Sequence, residues 1–360
     1  MTTDMTSPLA SGGTGTPVRT VRRRAIRVSD GELVSVDTEA GLAVVVRPRV
    51  AGVDLAGWLR DHRAQVERLL HERGAIRLRG FGVATAADFE AVSHSLGPGL
   101  LDYVYGSTPR SREKGSVYTS TEYPPDQVIP QHNEMAYSRR WPMKLWFFCK
   151  IAAAAGGETP LADSRRVLAR LDPGLRRRFA ERGVRYVRNY GGGLDLSWQQ
   201  VFETDRREQV ESVCRTLRIT YEWLPHDRLR TWQVCQAVAN HPVTGEAAWF
   251  NQAHLFHPSN LPADVRESLL ATAGQNDLPR NALYGDGSPI EDAALEEIRA
   301  AFAAETVAEP WAGGEVLLID NVLMSHGRRP YDGPRKVLVA MTDPNPDPDA
   351  DADAEREDVQ

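Results

Sequence analysis

No stretch of this 360-residue chain approaches the run of about 20 apolar residues that a membrane-crossing helix needs, so no membrane span is expected. Arg19, Arg22, Arg23 and Arg24 lie near the start, but no apolar stretch follows them, which argues against a secretory or twin-arginine signal. Cysteine is scarce. Cys149, Cys214 and Cys235 are scattered, odd in number and without Cys-x-x-Cys spacing, a pattern that fits reduced thiols in a cytoplasmic protein rather than a disulfide framework or a zinc site. There is no internal repeat. Net charge is also missing from the body: the formal value of −6 is accounted for by residues 347–360, where seven acidic residues face only Arg356. A neutral body with scattered arginines gives no case for nucleic-acid binding.

At 41% hydrophobic content the chain can bury one large core. The Thr/Ser/Gly-rich residues 1–20 and the Asp/Ala/Pro-rich residues 344–360 are expected to be disordered, because neither can bury apolar surface, and residues 21–343 are expected to form a single domain. Within it, strands are expected at 42–46, 75–78, 144–149, 184–190, 218–223, 231–237, 247–250 and 315–320. Helices are expected at 55–70, 86–96, 164–182 with a break at Asp172-Pro173, 206–216, 263–272 and 290–303. Many short strands with a few inserted helices predict a mainly β protein, a double-stranded β-helix (jelly roll, cupin-like) whose open end gathers side chains from several strands around a dry cavity.

The most informative motif is His132-Asn133-Glu134, answered far downstream by His326 and Arg335. Residues two apart in an extended segment share a side, so His132 and Glu134 can reach one ion while Asn133 points away. The proline-rich approach from Tyr123 to Pro130 is unsuited to a helix and delivers the pair near a strand end. A third ligand must come from another strand, and Glu315 to Asp320 reads as a buried strand running towards His326. Two imidazoles and one carboxylate on one face of an octahedral metal leave neighbouring positions open, the arrangement by which non-haem Fe(II) holds an organic co-substrate beside O2. A lone His-x-Glu is more often packing than ligation. Here a Pro/Gly turn after His326 leads to Arg335 at the head of an apolar strand, where a guanidinium can grip a carboxylate with two parallel hydrogen bonds.

His254 and His257 form a second, weaker pattern, since Pro258 follows at once and no third ligand is suitably spaced. Trp198, Trp223, Trp232 and Trp249 read as core or cavity wall. Arg176-Arg177-Arg178 reads as a solvated helix face or, less simply, as a docking patch for an acidic carrier protein. Glu122, suited to an amino group, and Asn251 are candidate substrate contacts, with packing or turn roles as the alternative.

From about Thr119 to Met341 the sequence resembles the TauD/TfdA family of Fe(II)/2-oxoglutarate dioxygenases, and within it a SyrP-like, clavaminate synthase-like branch. Five blocks in order carry the resemblance: residues 132–137, 156–164, 241–246, 249–252 and 326–335. The resemblance implies that His132, Glu134 and His326 bind iron and that Thr159 and Arg335 hold the distal carboxylate of 2-oxoglutarate. It implies an amino acid as substrate, free or tethered to a peptidyl carrier protein, hydroxylated during natural-product synthesis. Desaturation, epoxidation or cyclisation by the same chemistry is an alternative outcome, and a non-catalytic carrier-binding or regulatory module is an alternative of another class. Two features narrow the expectation. Taurine-type relatives carry a second arginine soon after the first to bind a sulfonate, where this chain has Leu338, Val339 and Ala340, and related halogenases lack the carboxylate that Glu134 supplies.

Overall fold

The computed structural model describes residues 33–346 apart from 40, 98–111, 116, 120–122, 194 and 275–276. The expected disorder at 1–20, nearly all of the acidic tail and the candidate Glu122 therefore lie outside the described residues. The ordered body continues past the expected boundary at 343: Asn345 is buried, its side-chain oxygen accepting from the Trp141 backbone N–H at 2.9 Å.

The framework is a large sheet of eight strands in the order Val34–Asp37, Val44–Pro48, Ala75–Leu78, Glu315–Asp320, Pro142–Ile151, Lys336–Pro344, Val117–Thr119 and Arg112–Lys114. Every pairing is antiparallel except that of Val44–Pro48 with Ala75–Leu78. Its central strand, Pro142–Ile151, is apolar on both faces, as a strand covered on both sides should be. Trp146 and Phe148 join Val316, Leu318 and Leu338 under the helices Leu55–Asp61 and Arg63–Arg73. Leu145, Phe147 and Cys149 join Leu317, Val337 and Val339 on the other face, which closes over a smaller sheet of Ile129–His132, Met324–Arg328 and Leu161–Asp163. These two facing sheets are the jelly roll. A four-stranded sheet, Thr220–Leu224, Arg228–Cys235, Val184–Tyr190 and Arg280–Tyr284, packs with helices around a second core that includes Phe179, Trp198, Trp249 and Leu295.

Two expectations shift. The helix expected at 55–70 is two helices broken at His62, whose ring stacks on Trp58 at 4.9 Å and whose Nδ1 meets the Trp58 carbonyl at 2.8 Å. A short antiparallel pairing, Tyr331–Asp332 with Ala155–Gly156, joins two segments that read from sequence as turns.

Candidate metal centre and carboxylate clamp

His132 ends its strand directly opposite His326, an antiparallel register that sets their ring centroids 4.3 Å apart. Glu134 is not on that strand. The chain turns at Asn133, and Glu134 enters the cluster from the turn, so the shared-face argument for an extended His-x-Glu gives way to a built turn. Asn321 builds it. Its side-chain oxygen accepts from the Glu134 N–H at 2.7 Å, and its amide donates to the Glu134 carbonyl at 2.9 Å and the Pro142 carbonyl at 2.8 Å. Asn133 is itself buried, donating to the Asn321 carbonyl at 2.7 Å and to Ser164 Oγ at 3.1 Å, while Gln252 donates to the Asn133 carbonyl at 2.7 Å.

The result is one group, His132, Glu134 and His326, whose ligand atoms lie within 4.8 Å of one another, with His326 Nε2 3.8 Å from a Glu134 carboxylate oxygen. His132 Nδ1 sits 2.9 Å from the Pro130 carbonyl, so that nitrogen carries the proton and Nε2 offers its lone pair, the outer-shell bond by which a protein fixes the tautomer of a ligating histidine. Two imidazoles and a carboxylate, with His326 and Glu134 buried and His132 half-buried, fit a divalent first-row metal. Among the described residues one other group has comparable spacing, His71, His241 and Asp320. There His241 Nδ1 accepts from the N–H groups of Val243 and Thr244, so Nε2 is the protonated nitrogen and donates to Asp320 at 2.8 Å. With both nitrogens engaged, that group is a structural lock.

A cavity opens beside the triad, lined by His132, His326, Thr159, Arg335, Phe147 and Val339 among others. Arg335 reaches it from the start of its strand and is braced by an Nε–H bond to the Gly157 carbonyl at 2.9 Å and by the Tyr331 ring, 5.4 Å away. Burial, then the nearby Arg328 cation, pushes the Arg335 guanidinium down to about 10, so an anionic ligand would relieve an unfavourable charge. The glycines before Thr159 have a reason. At Gly157, with φ +71°, a Cβ would stand 2.9 Å from Arg335 Cδ, and at Gly156 it would meet the Pro330 carbonyl oxygen at 2.1 Å. Thr159 is buried, and its hydroxyl oxygen accepts from Trp311 Nε1 at 3.1 Å, which frees the hydroxyl proton to be donated.

Other expected contacts fare differently. Asn251 is fully buried; its amide donates to the Ala237 carbonyl at 2.9 Å and accepts from the Ala253 N–H at 3.0 Å, in keeping with the packing role expected as the alternative to a substrate contact. His254 and His257 do not converge: His254 Nε2 bonds the Gln131 carbonyl at 3.0 Å and His257 Nδ1 bonds Ser259 Oγ at 2.9 Å. Sequence reasoning missed Asn321, Gln252, Trp311 and Arg328. The last donates to the carbonyls of Tyr123, Pro124 and Gln127 and so ties down the approach to the His132 strand. The one available signal was Asp320-Asn321, a polar pair closing an apolar strand just before a candidate ligand.

The family model for taurine catabolism dioxygenase TauD, TfdA family, matches residues 39–342. The chain is 43% identical over 279 residues to the dapdiamide synthesis protein DdaC of Enterobacter agglomerans, covering 78% of this chain and 85% of that one. It is 35% identical over 297 residues to a clavaminate synthase-like protein of Arabidopsis thaliana, covering 79% and 86%. Among solved structures, PvcB of Pseudomonas aeruginosa superposes with a TM-score of 0.50 at 16% identity over 87% of this chain and 92% of that one. A taurine dioxygenase of Burkholderia xenovorans gives 0.50 at 18% over 86% and 89%. With most of its length matched by the family model and with relatives above 30% identity over most of their length, this chain belongs to the TauD/TfdA family of Fe(II)/2-oxoglutarate-dependent dioxygenases.

Proposed function

We propose that His132, Glu134 and His326 hold the Fe(II), that Arg335 and Thr159 grip the distal carboxylate of 2-oxoglutarate, and that the reaction hydroxylates an unactivated C–H bond of an amino acid. The observation that carries the reading is that His132, His326, Thr159 and Arg335 line one cavity together. Fe(II) with 2-oxoglutarate and O2 supplies the oxidising power for C–H cleavage, with succinate and CO2 as co-products. The residues of this chain hold and orient. The His132 Nδ1–H bond to Pro130 aims Nε2 into the site, the Asn321 bonds present Glu134, and the Thr159 hydroxyl adds a donor beside the Arg335 guanidinium. Phe147, Val337 and Val339 give the cavity an apolar wall that limits water around the reacting atoms.

An amino-acid substrate, free or carried on a peptidyl carrier protein, is supported by the kinship with a dapdiamide synthesis protein. Residues 338–340, where a sulfonate-binding arginine would sit, are buried and apolar, which disfavours a taurine-like substrate. The carboxylate of Glu134 disfavours halogenation, which needs its position for a halide. Arg177 and Arg178, exposed on the helix Pro173–Arg182, offer an acidic carrier a place to dock. No helix among the described residues is long and apolar enough to cross a membrane, and the three cysteines are buried and free, in keeping with a reducing compartment.

The test is anaerobic addition of 2-oxoglutarate to the Fe(II)-loaded protein. A visible charge-transfer band is expected, and its absence from a folded, iron-loaded sample would overturn the co-substrate assignment. Succinate formation with free and carrier-loaded amino acids then separates an enzyme from a binding module and identifies which form is accepted.

A further inference from the structure

A second cavity, about 480 Å³, lies between the small sheet and the helix Asp292–Glu305 and shares Ile129 and Arg328 with the wall of the metal pocket. Its walls are mostly apolar, with Val128, Pro160, Phe302 and Pro330 prominent. Four polar side chains on this lining carry a buried atom with no hydrogen-bond partner: Gln131 Nε2, His254 Nδ1, Arg299 Nε and Arg328 Nε. Three of the residues are more than nine-tenths buried, with exposures of 8% for Gln131, 2% for His254 and 4% for Arg328.

Natural proteins seldom leave so many buried polar atoms unanswered around one cavity. The pattern has a chemical sense. The Gln131 oxygen accepts from Ser325 Oγ at 3.0 Å, which leaves its NH2 as an unpaired donor on a residue that lines this cavity. Arg299 uses Nη2 on the His254 carbonyl and Ser259 Oγ, and Arg328 uses its terminal nitrogens on the 123–127 segment, so each keeps an Nε–H. His254 donates through Nε2 to the Gln131 carbonyl, so its Nδ1 is an acceptor. Arg299, Arg328 and Arg329 line the cavity and no Asp or Glu does. Three N–H donors, an excess of cations and an apolar surround match the two ends of a small organic acid, and the volume lies within the range of small-ligand sites.

We propose that this cavity is a second binding site, distinct from the co-substrate clamp, for a small organic carboxylate with an apolar body. Its headgroup meets Gln131, Arg299 and Arg328, and its chain lies along Phe302, Pro160 and Val128. The site stands whether or not the triad holds iron, because none of its four polar groups belongs to the triad or the clamp.

The experiment is calorimetric titration of hexanoate, and of neutral hexanamide as its uncharged counterpart, into the metal-free full-length chain. Hexanoate should bind saturably and hexanamide about tenfold or more weakly, as loss of a charge-assisted contact requires. Arg299→Met should weaken hexanoate by a similar factor. Ala303→Trp, at an exposed rim position of the helix, should abolish binding without disturbing the core. Arg335→Met should leave it unchanged. Absence of binding to the wild-type chain would overturn the proposal, as would equal binding of the amide. Loss of binding in Arg335→Met with retention in Ala303→Trp would overturn it too, by assigning the anion to the clamp.

Discussion

Replacing Asn321 with alanine removes one fully buried side chain that makes three hydrogen bonds, two to Glu134 and one to Pro142. The substitution leaves the Glu134 N–H and two carbonyl oxygens without that partner in a site closed to water. At about 1–2 kcal/mol for each stranded group, the loss is about 3–6 kcal/mol. At roughly 2 °C per kcal/mol for a chain of this size, that is a fall of about 6–12 °C in Tm. The same change releases the turn that presents the Glu134 carboxylate, so affinity for Mn(II), an oxygen-insensitive stand-in for Fe(II), should fall by about tenfold or more, the range for outer-shell partners of metal ligands. Asn321→Asp keeps the acceptor for the Glu134 N–H but turns an anionic oxygen towards two carbonyls, and should be no more stable than alanine. Thermal unfolding of the metal-free protein and calorimetric titration of Mn(II) measure the two effects. A loss under about 1 kcal/mol would refute the reasoning about buried bonds. A large loss of stability with unchanged Mn(II) affinity would refute the positioning role.

Arg335→Met should raise the 2-oxoglutarate KM by about a hundredfold, from roughly 3 kcal/mol of charge-assisted bonding, and Thr159→Val by only about fivefold, from roughly 1 kcal/mol; steady-state succinate formation distinguishes them, and equal effects would contradict the clamp. Burial pushes the Cys149 thiol up to about 11 and Cys214 up to about 12, and it raises Cys235 as well, so none is a thiolate at neutral pH. A thiol reagent should therefore label none of the three in the native protein and all of them in denaturant. Burial lowers His254 to about 3, against an unfolded value near 6.5, so the unfolded chain takes up the proton first as pH falls. The stability from this group is complete above about pH 6.5 and is lost towards pH 3, at about 1.4 kcal/mol per pH unit, or about 2 kcal/mol by pH 5. Denaturant unfolding of metal-free His254→Gln should show a pH slope shallower than wild type by about one proton between pH 6 and 4, and equal slopes would sink the assignment.

The strand framework was legible because its central members carry a strong local signal. The expected strand at 144–149 became Pro142–Ile151, and the strands expected at 75–78 and 315–320 kept their bounds, since apolar runs buried on both faces admit few alternatives. His132, His326 and Arg335 were legible from their residue types and the turn signals beside them, and Thr159 only through the family resemblance; all four line one cavity. What failed was local geometry that only the tertiary structure dictates. A period-two argument put Glu134 on the His132 strand, yet Asn133 turns inward to reach Asn321 and Ser164, and the chain must turn with it. The break at His62 depends on a ring stacking on Trp58, and the pairing of Tyr331–Asp332 is too short to carry a period. The parts played by Asn321, Gln252 and Trp311 were hard to read for a related reason: each acts through a bond to a residue more than a hundred positions away.

Spacing alone does not separate a candidate metal site from a structural network, and this molecule has one group of each kind within a few residues of each other. Asp320 and Glu134 are both buried carboxylates near two imidazoles, and both groups satisfy the same distance criterion. Their neighbours differ in kind. Asp320 receives N–H donors from Val322 at 2.9 Å, Leu323 at 3.0 Å and His241 at 2.8 Å, so its negative charge is met by protein hydrogens and an added cation would have to displace the His241 proton. At Glu134 the fixed tautomer of His132 turns a lone pair, not a proton, towards the cluster. A lone pair and a carboxylate crowded within 4.8 Å repel unless a cation joins them. Asn321, next in sequence to Asp320, carries the link between the two: the His241–Asp320 lock fixes the turn from which Asn321 reaches across to hold Glu134. The block at 241–246 therefore supports the candidate metal centre without touching it.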